Sequence, residues 1–201
     1  GVLAHNNYAL SKKTDLSYSL RYDTLSDLDS TTGGHTGFVT QLTPHNHLKG
    51  YLTQSYRLPT FLEKYYPNTD PLMKGDENLE STRIRSAELM WIHDNPNYKL
   101  KLAGFFNEYD GLLTTTVEGT PNTDDPIYYQ KFTQLDYTVY AKGLELEVNH
   151  SLSPDLTLDF NATYQVGDKN SSEMIRTPNW LSNTLLTYHI NTEWKWINHY
   201  Q

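Results

Sequence analysis

The 201-residue chain contains no cysteine, which excludes disulfides, thiolate metal sites and cysteine nucleophiles. Long apolar runs are missing too. The longest stop after three or four residues, far short of the ~20 that a membrane-spanning helix requires. Basic residues number 16 against 24 acidic ones, for a formal charge of −8, and they are dispersed. A nucleic-acid partner would need clustered Lys and Arg. There is no G-x-S-x-G, H-E-x-x-H, P-loop or dinucleotide fingerprint. Aromatic residues are plentiful, with 16 tyrosines, six phenylalanines and four tryptophans along the chain, a composition that argues against disorder.

Alternation is the dominant pattern. In residues 155 to 166, Leu156, Leu158, Phe160, Ala162, Tyr164 and Val166 fall on one face and Asp155, Thr157, Asp159, Asn161, Thr163 and Gln165 on the other. Strict period two marks a β-strand between two different environments. Residues 15 to 24 repeat the pattern, as do Leu144, Leu146 and Val148 against Glu145, Glu147 and Asn149. Around Gly104-Phe105-Phe106 and Ala141-Lys142-Gly143 the pattern shifts, which is read either as a bulge or as a misreading of the register.

Short turns fall at 11–14, 43–46, 93–97, 151–155 and about 191–192. Longer connections fall at 26–34, 59–79, 117–127 and 167–176, so short and long alternate. The segments between them predict ten strands: 1–10, 14–25, 35–43, 47–58, 80–93, 98–116, 127–150, 155–167, 175–190 and 193–201. All are compatible with the ~9 to 11 residues that cross a bilayer at a tilt. A soluble β-sandwich has no reason to collect short turns at one end. An antiparallel transmembrane β-barrel does, and its polar lumen accounts for the mean hydropathy of −0.67. The chain opens at Gly1 and stops at Gln201 after an aromatic-rich stretch, so it is expected to be an excerpt of a longer protein.

Specific phrases then resemble TonB-dependent outer-membrane receptors. VLAHNNYALSKKTDLSYSLRYD is similar to the strand-turn-strand phrase closing on G-x-R-Y-D, with Ser19 where glycine is usual. Tyr56-Arg57-Leu58-Pro59 resembles the end of S-x-x-F-R-A-P. Asn78-Leu79-Glu80 and Ser86-Ala87-Glu88-Leu89 resemble N-x-x-L-x-P-E and Y-E-L-G, without the proline. LKLAGFFNEYDGLL, AKGLELEVNHSLSPDLTLDFNATY and Arg176-Thr177-Pro178 follow in the family's order. The resemblance implies a 22-stranded barrel with an N-terminal plug, of which residues 1–201 would supply about ten strands and no plug. It further implies energised uptake of a ferric siderophore or similar metal chelate across the outer membrane of a Gram-negative bacterium. Partners would be that chelate, outer-membrane lipid and lipopolysaccharide, and the TonB complex acting through the missing plug. A passive porin-like channel and a soluble carbohydrate-binding β-sandwich are the alternatives.

No catalytic role is expected. Glu145 and Glu147 share a strand face, and in the family pattern they are lumen-wall residues. His45, His47, His93, His150 and His189 fall beside the short turns, in one rim, and are expected to be turn and interface residues rather than metal ligands. Receptors of this family that take heme usually present a histidine between the R-x-P and N-x-x-L phrases, and none occurs from Tyr56 to Leu79. Ligand contact is expected from the long loops, where Tyr65, Tyr66, Tyr128 and Tyr129 offer flat apolar faces with a hydroxyl. Arg57 would lie beneath them on the luminal face, with Arg83 and Arg85 also in the lumen. Glu63, Asp70, Asp76, Glu77, Glu118, Asp124 and Asp125 against Lys64 and Lys74 make these loops acidic.

Overall fold

The computed structural model describes residues 1–25, 28–67, 73–119, 128–167 and 178–200. Ten strands form one antiparallel sheet: β1 (Val2–Ser11), β2 (Thr14–Leu25), β3 (Leu28–Thr43), β4 (Asn46–Arg57), β6 (Thr82–Asn95), β7 (Tyr98–Asp110), β10 (Val139–Ser153), β11 (Leu156–Gly167), β12 (Trp180–His189) and β13 (Lys195–Tyr200). Each pairs with its neighbour in that order, leaving β1 and β13 as the edges. The remaining elements sit in the connections: a helix α1 (Phe61–Tyr65) and three short strands, β5 (Met73–Lys74), β8 (Leu113–Gly119) and β9 (Tyr128–Gln134). The short strands form a second sheet in the order β5-β9-β8. Among the described residues no helix is long and apolar enough to cross a membrane.

The five expected short turns close five hairpins, through Ser11↔Thr14, Thr43↔Asn46, Asn95↔Tyr98, Ser153↔Leu156 and His189↔Lys195. The expected connection at 26–34 is instead mostly strand. β2 and β3 stay paired up to Leu25↔Leu28, so one of the four long connections is short. Gly33-Gly34 signals a turn in sequence, yet a Cβ on Gly34 would lie 2.5 Å from the Ser19 carbonyl oxygen. The glycine there permits close approach of two strands rather than a reversal. The expected strands 98–116 and 127–150 are each broken in two. Gly111, at φ 66°, turns the chain out of β7 into β8, and the break between β9 and β10 lies at residues 135–138.

No bulge interrupts the middle of the sheet. The β7–β10 ladder runs without a register shift from Val139↔Tyr109 to His150↔Tyr98, and the β6–β7 ladder likewise from Arg83↔Asp110 to Asn95↔Tyr98. Cross-strand partners share a face, so these registers sort every side chain. One face carries Leu16, Tyr18, Leu20, Phe38, Leu48, Leu52, Trp91, Leu89, Leu102, Leu144, Leu146, Val148, Phe160 and Leu186. The other carries Asp15, Ser17, Ser19, Lys49, Thr53, Glu88, Lys101, Glu145, Glu147, Asn149, Asn161 and Asn183.

The apparent shift of pattern has a different cause. On the apolar face Tyr98, Leu100, Leu102, Gly104 and Phe106 are followed by Glu108 and Asp110. Opposite them on β6, Ala87 gives way to Arg85 and Arg83. At that height the polar face turns apolar, with Ile84, Tyr109 and Val139. The faces exchange character because the strands rise out of the apolar band. From Tyr98 to Phe106 is about 27 Å along the strand at ~3.4 Å per residue, the reach of a tilted membrane-crossing strand. Arg83 and Arg85 therefore stand on the outward side above the apolar band, not in the lumen, and they pair there with Asp110 at 3.9 Å and Glu108 at 2.6 Å.

Buried residues are few, as befits a single curved sheet. Val139 is fully buried, Thr82 and Ala103 nearly so, and Leu79 and Ala141 follow. Large apolar side chains such as Leu20, Leu52, Leu89 and Leu144 remain more than half exposed on the apolar face, far more than a water-soluble monomer tolerates in one patch.

Candidate functional site at the long-loop end

The loop assembly is built on Thr60-Phe61-Leu62-Glu63, a capping box read directly from T-x-x-E. Glu63 N–H donates to Thr60 Oγ1 at 3.2 Å, and Thr60 N–H donates to Glu63 Oε2 at 2.7 Å. The second carboxylate oxygen accepts from Arg57 Nη2 at 2.5 Å. Burial pushes the Glu63 carboxyl up, but the Arg57 guanidinium and the two bonds to Thr60 outweigh it and hold the group below its ordinary range. Arg57 is thus tied to α1 at the exit of β4.

The chain then folds back on the helix. Gly75 N–H donates to the Tyr66 carbonyl and Asp76 N–H to the Glu63 carbonyl, at 3.4 and 3.0 Å. A side chain at Gly75 would meet the Lys64 carbonyl oxygen at 2.5 Å, which requires glycine there. Asp76 Oδ1 accepts from the Asn78 backbone and side-chain amides, and Asp76 Oδ2 faces Lys131 Nζ of β9 at 3.2 Å. Burial raises the Asp76 carboxyl, but the Asn78 N–H and Lys131 bring it below the usual carboxylate range. Bonding to Asp76 raises Lys131 in turn. Lys131 also lies 3.8 Å from Glu118 of β8. At the base, Gln134 exchanges two bonds with the Glu80 backbone and donates to the Gly111 carbonyl, which also accepts from Thr82 Oγ1.

Arg57 is on the polar face as expected, paired with Thr82 in register. Tyr65 closes α1 with its ring 5.0 Å from Phe61, and both side chains are exposed. Tyr66 caps the helix, its N–H donating to the Leu62 carbonyl. Tyr129 is already engaged: Lys74 Nζ stands 3.6 Å above its ring and its hydroxyl donates to Glu118 at 3.1 Å. Tyr128 begins β9, but its side chain lies outside the described residues, as do Asp70, Asp124, Asp125, Arg176 and Thr177. The structure thus links Arg57, Tyr65, Tyr66 and Tyr129 through one assembly of loop elements. The separate loop sheet has no counterpart among the expected elements, and the isolated Gly111 is its one signal in the sequence.

The histidine rim divides between the two faces. His93 and His150 lie on the apolar face on either side of Tyr98, with ring centroids 5.1 and 6.0 Å from it, and His93 is 6.0 Å from Trp91. His47 and His189 lie on the polar face, and His45 donates to the Asp94 carbonyl. Among the described residues no group of three or more His, Asp or Glu is placed to hold a metal ion. Glu147 on the polar face accepts from Lys101 at 2.8 Å.

The family description "TonB dependent receptor-like, beta-barrel" matches residues 1–200. The chain belongs to the TonB-dependent receptor β-barrel family. Among solved structures it is similar to the siderophore receptor PirA of Pseudomonas aeruginosa, with TM-score 0.81, 18% identity, and 94% of this chain and 36% of that one covered. It is also similar to a mutant of the ferric enterobactin receptor PfeA of Pseudomonas aeruginosa, solved in complex with enterobactin (TM-score 0.77, 18% identity, 94% and 30% covered). The copper transporter OprC gives TM-score 0.73 at 13% identity, with 96% and 32% covered. At these identities the likeness is one of fold. The chain spans about a third of the length of these structures. Among curated proteins none matches it. TonB-dependent receptors are outer-membrane proteins of Gram-negative bacteria, and in that setting the apolar face is the lipid face and the polar face the lumen wall.

Proposed function

We propose that the complete protein is an outer-membrane receptor that takes up a ferric siderophore or similar metal chelate, with residues 1–201 forming part of a 22-stranded barrel whose plug lies elsewhere in the chain. The observation that carries this reading is the tied loop assembly. Arg57, Tyr66 and Tyr129 are held by one set of hydrogen bonds and charge contacts at the end of the strands where the lumen face opens, and Tyr65 is carried beside them on α1 with its ring against Phe61. Tyrosine faces and a guanidinium suit an amphipathic, partly anionic chelate. Tyr128, at the start of β9, completes the proposed contact set. The siderophore and enterobactin receptors among the similar structures support the ligand class.

Transport would be energised by the TonB complex acting through the plug, and the outward Arg83, Arg85 and Lys142 would face lipopolysaccharide above the lipid band. The test is uptake of iron supplied as a panel of ferric siderophores by cells expressing the complete receptor. Uptake of at least one chelate that stops when TonB is deleted supports the reading. TonB-independent flux of small solutes would support the porin instead, and recovery of the protein in buffer without detergent would support the soluble sandwich.

A further inference from the structure

Ser19 stands where the family phrase carries glycine, and its surroundings give that departure a consequence. On the polar face His5 of β1, Ser19 of β2 and His35 of β3 form one cross-strand row through the pairs His5↔Ser19 and Ser19↔His35. Strands two apart are separated by about 9.6 Å, yet the two imidazole centroids lie only 5.9 Å apart, tilted by 42°. The rings lean toward each other over the small Ser19 side chain. Ser19 Oγ is 2.7 Å from His35 Nδ1, a contact that fixes the ring and leaves Nε2 as its open nitrogen.

The geometry points to a two-imidazole site for a first-row divalent ion, Cu2+ or Zn2+, on the lumen wall beneath the outer mouth, held by His5 and His35 with Ser19 as positioning residue. Two metal–nitrogen bonds of ~2.0–2.1 Å, with the two ring half-widths, span about 5 to 6.5 Å between centroids, which includes the observed separation. The metal selects the His35 tautomer in which Nδ1–H donates to Ser19 Oγ, the outer hydrogen bond that orients most metal-bound imidazoles. Imidazole ligands favour Cu2+ over Zn2+ among first-row divalent ions. Arg21, the next residue after Ser19 on this face of β2, is neutralised by Asp23, whose oxygens lie 2.5 and 3.3 Å from its guanidinium nitrogens. Ser19, His35, Arg21, Asp23, Thr53 and Tyr56 line a cavity of about 630 Å3, which leaves coordination positions open to water or to a ligand of the arriving ion. An open site suits exchange of an ion in passage, whereas structural sites are closed by four protein ligands. The assignment needs only the lumen face and does not depend on which chelate the receptor carries.

The test is titration of the complete metal-free receptor in detergent with Cu2+ alone, followed by calorimetry and electron paramagnetic resonance. The expected result is a bound ion with two-nitrogen coupling. His5→Ala and His35→Gln should each weaken that site at least tenfold and remove one nitrogen from its pattern. Ser19→Gly should lower affinity about tenfold while the two-nitrogen pattern persists. His189→Ala, at the opposite end of the strands, should change nothing. The deciding outcome is the difference spectrum between the unaltered receptor and the His5 and His35 variants. A two-nitrogen signal that survives both His5→Ala and His35→Gln, or the lack of any two-nitrogen signal in the unaltered receptor, would overturn the proposal.

Discussion

Arg57 and Glu63 meet at 2.5 Å, and the carboxylate that receives the guanidinium also caps α1 through Thr60 N–H. One side chain therefore ties a barrel strand to the loop and starts the helix that carries Tyr65. Glu63→Gln should weaken the tie to Arg57 while preserving much of the cap. Glu63→Ala should lose the Arg57 pair and the carboxylate half of the capping box, each about 1 kcal/mol or less, while the bond from the backbone N–H of residue 63 to Thr60 Oγ1 remains. Hydrogen exchange across residues 60–66 of the complete receptor should rise in the order unaltered protein, Glu63→Gln, Glu63→Ala. Equal exchange in all three would mean that the loop is held elsewhere.

The same loop should loosen in acid. Glu63 and Asp76 both have folded pKa values below their ordinary ones, so each contributes stability that is present in full above the unfolded values, about 4.3 and 3.9. That contribution is lost as pH falls through the depressed folded values. Protease resistance of segment 59–80 should be flat from neutral pH to about pH 5 and fall below it. Glu63→Gln combined with Asp76→Asn should have a lower and flatter profile.

Alternation along β11 assigns lipid and lumen residue by residue. In the complete receptor a cysteine at Leu158 or Phe160 should be shielded from a small water-soluble thiol reagent, while one at Thr157 or Asn161 should react. The chain brings no thiol of its own to confuse the result. Equal labelling at all four positions would contradict the assignment of faces.

How far such patterns reach shows in where they failed. The strands of the large sheet were legible because many, β2 and β11 above all, have two faces of unlike polarity and because the short turns carry their own chemistry, as in Asn95-Pro96-Asn97 and Ser153-Pro154-Asp155. The connection expected at 26–34 proved to be strand because the pair Gly33-Gly34 fits a close strand contact as well as a reversal, and only the Ser19 carbonyl opposite Gly34 decides between them. Arg83 and Arg85 misled because charge in a barrel strand suggests the lumen. Period two holds along β6, but which side is polar depends on height, and height is a property of the sheet rather than of the strand. The loop sheet was hidden for another reason: β5 is two residues long, and its parallel pairing with β9 joins segments more than fifty residues apart.

Height can be tested directly. Leu89 lies on the lipid face between Gly50 and Gly104, whereas Ala87 adjoins the Arg85 level. Leu89→Arg, between the middle and the upper edge of the band, should cost about 1–3 kcal/mol and Ala87→Arg about 0–1 kcal/mol, following the depth dependence of charges on barrel exteriors. The fraction of receptor that assembles into a heat-modifiable barrel should fall for Leu89→Arg and hold for Ala87→Arg. The reverse order would place the apolar band at a different height.

The last prediction concerns the ligand contacts. Replacing Tyr65, Tyr66, Tyr128 and Tyr129 together by alanine should weaken chelate binding at least tenfold, about 1.4 kcal/mol, while the barrel still assembles. Tyr129 needs a control, since its ring stacks under Lys74 and its hydroxyl reaches Glu118, so its loss disturbs the loop sheet as well as any ligand. Tyr129→Phe keeps the stacked ring and removes only the hydroxyl bond, so it should leave most of the affinity intact. Tyr65→Ala with Tyr66→Ala should then account for most of the loss, because the Tyr65 side chain is exposed. If that pair leaves affinity unchanged and only Tyr129→Ala lowers it, the tyrosines act by supporting the loop, and the chelate is read by other residues.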